Sequence, residues 1–191
     1  CNPHRFMDEP GLEERMLDTL LHELFMMYLP GCKSEINEFG CGNGSNLTPL
    51  IKSGARLRGF DWSPTACKKA RTNGIDAGVF DMFYPHPEHI TGAVLTVHAL
   101  EQLGANFQPF LHYLIDQKPQ ICIHVEPIEE LYDPLDLYDF LALAYHRKRG
   151  YLSGFLTALR SMPQVELIEV RKAEFGNIHH CAYSTVVWRP L

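Results

Sequence analysis

The sequence predicts an α/β fold in which a doubly wound, mostly parallel seven-stranded sheet carries helices on both faces and ends in a reversed C-terminal strand. Three observations lead to this prediction. Strand-like and helix-like segments alternate along most of the chain, and a glycine-rich turn follows the first strand directly. The last two strand candidates are joined by a link of only about six residues, too short for a parallel crossover.

The first predicted element is an N-terminal helix within residues 1–31. Apolar residues recur every three or four positions between residues 11 and 29, and Pro30 and Gly31 end the pattern. The chain has 191 residues, of which 46% are hydrophobic. Since that suffices for one substantial core, residues 1–191 are predicted to form a single domain. Because the sequence begins with Cys1, we expect further residues to precede it in the natural protein.

Strand and helix patterns then alternate, which favours parallel pairing through helical crossovers. The predicted strands are 35–39, 55–61, 75–81, 92–98, 120–127, 164–175 and 182–190, and the helical segments are 45–54, 63–74, 106–118 and 135–163. Asn37 is an unusually polar residue for a central buried strand. Either its side chain has a specific hydrogen-bonding partner or the strand begins later.

Composition narrows the classes of partner. The formal net charge of −6 argues against a broad nucleic-acid surface, and no apolar run reaches the length of a membrane span. The six cysteines are scattered without the spacing of a zinc site or a disulfide framework, which is typical of reduced thiols in a cytoplasmic protein. We therefore expect a small-molecule partner, with no nucleic acid and no membrane.

The stretch INEFGCGNGSN, residues 36–46, places Gly40, Gly42 and Gly44 directly after a strand. Glycines there let the backbone approach a ligand and point amides at it, although an ordinary tight turn is the alternative. A P-loop is excluded because no Gly-Lys-Ser/Thr follows. The spacing also departs from the G-x-G-x-x-G of dinucleotide-binding sites, since Ser45 stands where the third glycine would be.

Open parallel sheets bind ligands beyond the carboxyl ends of their strands, so the residues there are candidates for the site. Asp61 ends the second strand, where a carboxylate can accept hydrogen bonds from both hydroxyls of a ribose. It is less suited to a helix-capping role, because Ser63 already supplies the cap of the next helix. Asp61 indicates an adenosine-like ligand without saying which, so a nicotinamide-dependent oxidoreductase and a cofactor-binding module without catalytic activity remain alternatives.

The segment E-F-G-C-G-N-G, residues 38–44, resembles the acidic-x-G-x-G-x-G signature of class I S-adenosylmethionine-dependent methyltransferases. GFDWS at 59–63 and VFD at 79–81 are similar to the second and third elements of that family. The closing segment 182–190 is similar to the reversed last strand of its fold. The resemblance covers nearly the whole chain in order and implies S-adenosyl-L-methionine as the cofactor.

The resemblance also implies a role for each residue of the cofactor site. They are the turn of Gly40, Cys41, Gly42 and Asn43 against the methionine moiety, Glu38 near its amino group, Asp61 on the ribose, and Trp62, Asp81 and Met82 around the adenine. His98 ends the fourth predicted strand, at the spot that faces the sulfonium methyl.

His98 is the predicted general base, with Glu101 beside it, because an imidazole with an ordinary pKa near 6.5 can take a hydroxyl proton. The predicted reaction is O-methylation of a small molecule, with N-methylation next; the alternative role for His98 is to shape the pocket. An Asn/Asp-Pro-Pro-aromatic run, which resembling enzymes use for amides and bases, is absent at this strand end.

Residues 127–163 are predicted to lie over the acceptor side. Tyr132, Tyr145 and Arg147 are the predicted substrate contacts there, together with His179 and His180 at the same rim. Each also has a plainer interpretation, because a basic run at a helix end and a pair of histidines in a link are common on solvated surfaces.

A divalent metal would suit His98, Glu101, His124 and Glu126 if they converged. However, His124 lies two residues before the end of its strand, where a hydrogen-bonded core histidine is commoner. We therefore predict no metal.

Overall fold

The computed structural model describes residues 11–29, 35–173, 175–176 and 183–191. The helices are α1 (Leu12–Tyr28), α2 (Pro64–Thr72), α3 (Gln108–Gln117), α4 (Leu137–Arg149) and α5 (Phe155–Ser161). The strands are β1 (Glu35–Phe39), β2 (Arg56–Asp61), β3 (Asp76–Val79), β4 (Ala93–Val97), β5 (Ile121–Glu126), β6 (Val165–Lys172) and β7 (Ser184–Pro190). Short 3₁₀ turns cover Thr48–Ser53, Leu100–Leu103 and Glu129–Leu131.

The seven strands form one sheet in the order β3-β2-β1-β4-β5-β7-β6. Strands β1 to β5 pair in parallel, whereas β7 runs antiparallel to both β5 and β6. The predicted reversed C-terminal strand is therefore confirmed. The strand order changes direction between β1 and β4, and ligands bind in the crevice above such a point.

Two apolar layers cover the two faces of the sheet, because successive strand residues point to opposite sides. One layer joins α1 to Ile36, Leu95 and Ile123. The other is rich in aromatic rings and includes Phe39 and Trp188. This division places helices on both faces, as the alternating sequence pattern predicts.

The local sequence explains where the helices begin. Ser63 accepts a hydrogen bond from the backbone N–H of Ala66 at 3.3 Å and, with Pro64 next, starts α2. The predicted helix at 45–54 is shorter in the structure, where only Thr48–Ser53 form a 3₁₀ turn. Gly54 ends that turn in the left-handed conformation.

Asn37 lies within β1 and is fully buried. Its side-chain amide donates to the carbonyl oxygens of Thr91, at 2.7 Å, and Ala93, at 3.2 Å. The strand therefore begins where the pattern predicts, and the polar side chain fastens β1 to the chain entering β4. None of the helices in the described ranges is long and apolar enough to cross a bilayer.

Candidate active site

The glycine turn after β1 is held tightly between two neighbouring strands. The backbone N–H groups of Gly40 and Cys41 both donate to the carbonyl oxygen of Phe60, at 2.7 and 3.0 Å. Gly40 has a φ of 76°, and a Cβ there would lie 2.3 Å from the Cβ of Ala99. Gly40 is therefore required both by its conformation and by the close approach of the chain that follows β4.

Asp61 connects this turn to the end of β2. Its Oδ2 accepts from the backbone N–H of Gly42 at 3.0 Å, and its Oδ1 accepts from that of Ser63 at 2.8 Å. The residue is 8% exposed and lines a cavity. The carboxylate of Asp61 thus holds the turn in place and also faces the cavity.

That cavity has a volume of about 420 Å³ and opens between the ends of β1, β2, β3 and β4. It is lined by six of the predicted cofactor residues, namely Gly40, Asp61, Trp62, Asp81, Met82 and His98. Five further residues line it: Phe80, Phe83, Ala99, Gln102 and Leu103. The strand-end rule already points to Phe83, Ala99 and Gln102 without giving them a role, whereas Phe80 and Leu103 lie just outside the strand-end segments that the sequence singles out.

The carboxyl of Glu38 is buried beneath the turn. Its Oε1 accepts from the side-chain amide of Asn46 at 2.6 Å, while its Oε2 has no hydrogen-bond partner among the described residues. Burial raises the pKa of Glu38 to about 8. A buried carboxylate oxygen without a donor is suited to a cationic group that arrives with a ligand.

The other two predicted turn residues contribute through their backbone. Burial raises the pKa of the Cys41 thiol. Its sulfur packs against Gly59, where an added Cβ would lie only 2.7 Å from the sulfur. The side chain of Asn43 accepts from the N–H of Ser45 at 3.1 Å, within the turn itself. Neither side chain is among those that line the cavity.

His98 follows β4 in an unusual conformation, with a φ of 50°. Its backbone N–H donates to the carbonyl of Val125 at 3.1 Å, and its ring packs on that of Tyr183 with centroids 4.6 Å apart. Its Nδ1 lies 3.7 Å from Oε2 of Glu101, at ion-pair distance. Left-handed backbone in a non-glycine residue is sparsely populated and concentrates at functional sites.

Glu126, at the end of β5, holds the turn that carries these groups. Its carboxylate accepts three successive backbone N–H bonds, from Ala99 at 3.0 Å, Leu100 at 3.1 Å and Glu101 at 3.3 Å. Burial raises the pKa of Glu126 to about 7. The sequence presented Glu126 only as a possible metal ligand; its partners are too far along the chain for spacing to reveal this bond network.

Glu101 is 6% exposed, and its Oε1 accepts from the side-chain amide of Gln102 at 2.8 Å. Burial, followed by the charge of Glu126, raises the pKa of Glu101 to about 7. That value lies close to the ordinary pKa of a histidine. Near neutral pH the carboxyl beside His98 is therefore present in both its protonated and its ionised form.

His124 belongs to the core. Its Nε2 accepts from the indole N–H of Trp188 at 2.8 Å, and its Nδ1 lies 2.9 Å from the hydroxyl of Thr96. Burial lowers the pKa of His124 to about 3. Within the described ranges, no three His, Cys, Asp or Glu residues are grouped so as to hold a metal ion.

Residues 37–114 match the family model described as a methyltransferase domain. This span contains the glycine turn, the ends of β2 and β3, and the His98 turn. The sheet order and the reversed strand β7 complete the fold of the class I enzymes. The chain therefore contains a methyltransferase domain and has the fold of the class I S-adenosylmethionine-dependent enzymes.

Solved structures of methyltransferases share this fold. The N-methyltransferase NodS from Bradyrhizobium japonicum WM9, in complex with S-adenosyl-l-homocysteine, is 18% identical over 96% of this chain and 89% of its own, with a TM-score of 0.66. Magnesium protoporphyrin IX methyltransferase from Synechocystis PCC 6803 is 15% identical over 93% and 83%, with a TM-score of 0.65. The plantazolicin methyltransferase BpumL is 13% identical over 96% and 86%, with a TM-score of 0.63. No curated protein sequence matches the chain.

The predicted acceptor contacts are in different environments. Tyr132 is 7% exposed and packs on His146 and under the ammonium of Lys172, so it does not line the cavity. Arg147 is exposed at the end of α4. Tyr145 is partly buried, with its ring edge-to-face on Tyr151 at 5.9 Å. The remaining two contacts, His179 and His180, lie outside the described residues.

Proposed function

We propose that this methyltransferase transfers a methyl group from S-adenosyl-L-methionine to a hydroxyl of a small molecule. The observation that carries the proposal is the pairing of His98 with the buried Glu101 at the wall of the cavity. A hydroxyl acceptor must lose its proton, and an imidazole beside a carboxylate is suited to take it.

The residues around the cavity fit the cofactor. The unpartnered Oε2 of Glu38 suits its ammonium group, and Asp61 suits the ribose. Trp62 and Met82 provide flat and apolar surface for the adenine, and Asp81 lies beside them. The three similar structures named above all hold S-adenosylhomocysteine, the product that such a transfer leaves.

When bound, S-adenosyl-L-methionine supplies a methyl group on a positively charged sulfur. The chain's own part in the reaction is to position the acceptor and to remove its proton. Glu101 holds the imidazole of His98 and stabilises its charged form, because a carboxylate next to an imidazolium lowers the energy of that ion. The Glu126 bonds hold the two groups in one short turn.

N-methylation is the second candidate. Oε2 of Glu101 is buried and accepts no hydrogen bond from the described residues, so it could bind an amine acceptor directly. With an amine, the same pair would remove the proton of an ammonium before the transfer. Mass spectrometry of the products from matched hydroxyl and amine acceptors separates the two candidates.

The proposed setting is the cytoplasm, and the proposed partner is a small molecule. The net charge of −6 disfavours a nucleic-acid substrate. The scattered cysteines favour a reducing compartment.

The test is a substitution of His98 by a residue that can adopt the same positive φ. His98→Asn is preferred to alanine, because asparagine tolerates a positive φ. We expect turnover to fall about a hundredfold or more while affinity for S-adenosylhomocysteine changes less than about twofold. The exposed His112 on α3 provides the matched control, His112→Asn, which should alter neither quantity. Equal loss of turnover and affinity in His98→Asn would mark the residue as structural and contradict the proposal.

A further inference from the structure

The geometry points to an acceptor that carries a carboxylate or similar anion on an aromatic ring, with Arg149 binding the anion beside Tyr145 and Tyr151. This inference rests on the proposed function, because it names the acceptor class of the same site. It assigns the recognition of charge to a residue that the sequence pattern did not select.

The end of α4 is held against the turn that carries Glu101. A Cβ on Gly104 would lie 2.6 Å from the carbonyl oxygen of Gly150, so the two backbones meet at a contact that only glycine permits at position 104. The backbone N–H of Ser153 donates to the carbonyl of Gly104 at 3.4 Å. Arg149 and Tyr151 flank Gly150, and this contact therefore places them beside the Leu100–Leu103 turn.

Arg149 is anchored by a tyrosine and not by a carboxylate. Its Nε donates to the hydroxyl of Tyr151 at 3.2 Å, and its guanidinium carbon lies 5.3 Å from the centre of that ring. Among the described residues, none hydrogen-bonds its two terminal nitrogens, and no Asp or Glu forms an ion pair with it. A guanidinium held on one side presents a planar fork that matches a carboxylate.

The charge of Arg149 acts on the catalytic turn. The positive charge of Arg149 lowers the pKa of Glu101, against the raising effects of burial and of Glu126. The two groups therefore interact electrostatically. The edge-to-face rings of Tyr145 and Tyr151 stand next to the guanidinium. Beside the cavity wall formed by the Leu100–Leu103 turn there are thus aromatic surface and a cation that no described carboxylate pairs with, which, next to the His98–Glu101 pair, suit an aromatic hydroxy acid.

Arg147 provides an internal control. Two residues along an α-helix are roughly 200° apart, so Arg147 and Arg149 leave α4 on nearly opposite sides. Both are exposed and both lie in the last turn of the helix. Substituting either one changes the net charge equally, and among the described residues a tyrosine anchors Arg149 and none anchors Arg147.

The experiment measures binding of acceptor pairs to the full chain saturated with S-adenosylhomocysteine, by calorimetry. The pairs are 4-hydroxybenzoate, 4-hydroxyphenylacetate and 4-hydroxycinnamate, each with its methyl ester. We expect the acid of at least one pair to bind about tenfold more tightly than its ester, because only the acid carries a carboxylate that the guanidinium of Arg149 can bind. Arg149→Gln should bring acid and ester within about twofold, Arg149→Lys should keep part of the preference, and Arg147→Gln should keep all of it.

Three results would overturn the inference: no preference for any acid, a preference that survives in Arg149→Gln, or equal loss in both glutamine variants. Turnover of the same pairs separates this failure from that of the proposed function. Methylation of esters and acids alike contradicts only the role of Arg149. Absence of S-adenosylhomocysteine binding, or of methylation for every hydroxylated and amine acceptor, contradicts the proposed function itself.

Discussion

At the scale of single residues, the carboxylate of Asp61 already has two backbone partners before any ligand is bound. One of its oxygens holds the N–H of Gly42 and the other holds that of Ser63. An oxygen accepts more than one hydrogen bond, so both can also face a ribose. The residue therefore contributes to the shape of the site as well as to contact with the cofactor.

We predict that Asp61→Asn weakens binding of S-adenosylhomocysteine by about ten- to a hundredfold, since hydrogen bonds to charged acceptors contribute about 1.5 to 3 kcal/mol. Asparagine keeps one oxygen of the same shape, so the turn is disturbed less than by alanine. Calorimetry gives the affinity, and the melting temperature without ligand shows whether the substitution destabilises the glycine turn. Asp116→Asn, at an exposed position on α3, is the control. An affinity equal to that of the unsubstituted protein would remove Asp61 from the site.

At the scale of elements, the turn after β4 depends on a side chain from β5. Glu126 gathers the N–H groups of Ala99, Leu100 and Glu101, which would otherwise be unsatisfied at the start of a 3₁₀ turn. Its charge also raises the pKa of Glu101. One buried carboxylate thus affects both the geometry of the turn and its protonation.

Glu126→Gln tests this double effect. The methyl-transfer rate should rise with pH as the His98–Glu101 pair loses its proton, with a midpoint near the pKa of about 7 at Glu101. Removing the Glu126 charge lowers that pKa, so the midpoint should move toward acid by about half a unit to one unit. Steady-state rates across pH give the midpoint, and Glu166→Gln, at a half-buried position on β6, is the control. A lower rate with an unmoved midpoint would indicate that Glu126 acts on structure alone.

The sequence predicts features that depend on neighbours in the chain and misses those that depend on distant contacts. Periods of two and of three to four residues locate the strands and helices, because each element buries one face. Strand ends locate Asp61 and His98, since parallel strands all end at one edge. Local spacing cannot show that Gly104 meets Gly150, that Tyr132 turns into a buried cluster, or that Arg149 finds Tyr151.

At the scale of the whole molecule, buried ionisable groups make the free energy of unfolding depend on pH in opposite directions. His124 is held neutral, with its pKa lowered to about 3. The stability that the neutral ring contributes is therefore fully present above the unfolded pKa near 6.5 and is lost as the pH falls toward 3. Glu38 has its pKa raised to about 8, so its contribution is complete below the unfolded pKa near 4.5. That contribution is lost as pH rises toward 8.

Glu38→Gln isolates the second effect, because glutamine keeps an oxygen for Asn46 and cannot ionise. Relative to the unsubstituted protein, the free energy of unfolding of this variant should increase by roughly 2 to 4 kcal/mol between about pH 5 and pH 8. Urea unfolding without ligand measures it. With S-adenosylhomocysteine bound at pH 8, the unsubstituted protein should become the more stable of the two. The ammonium of the ligand stabilises the ionised Glu38, and the variant lacks that charge. A difference that stays constant with pH would show that Glu38 is already ionised in the folded protein.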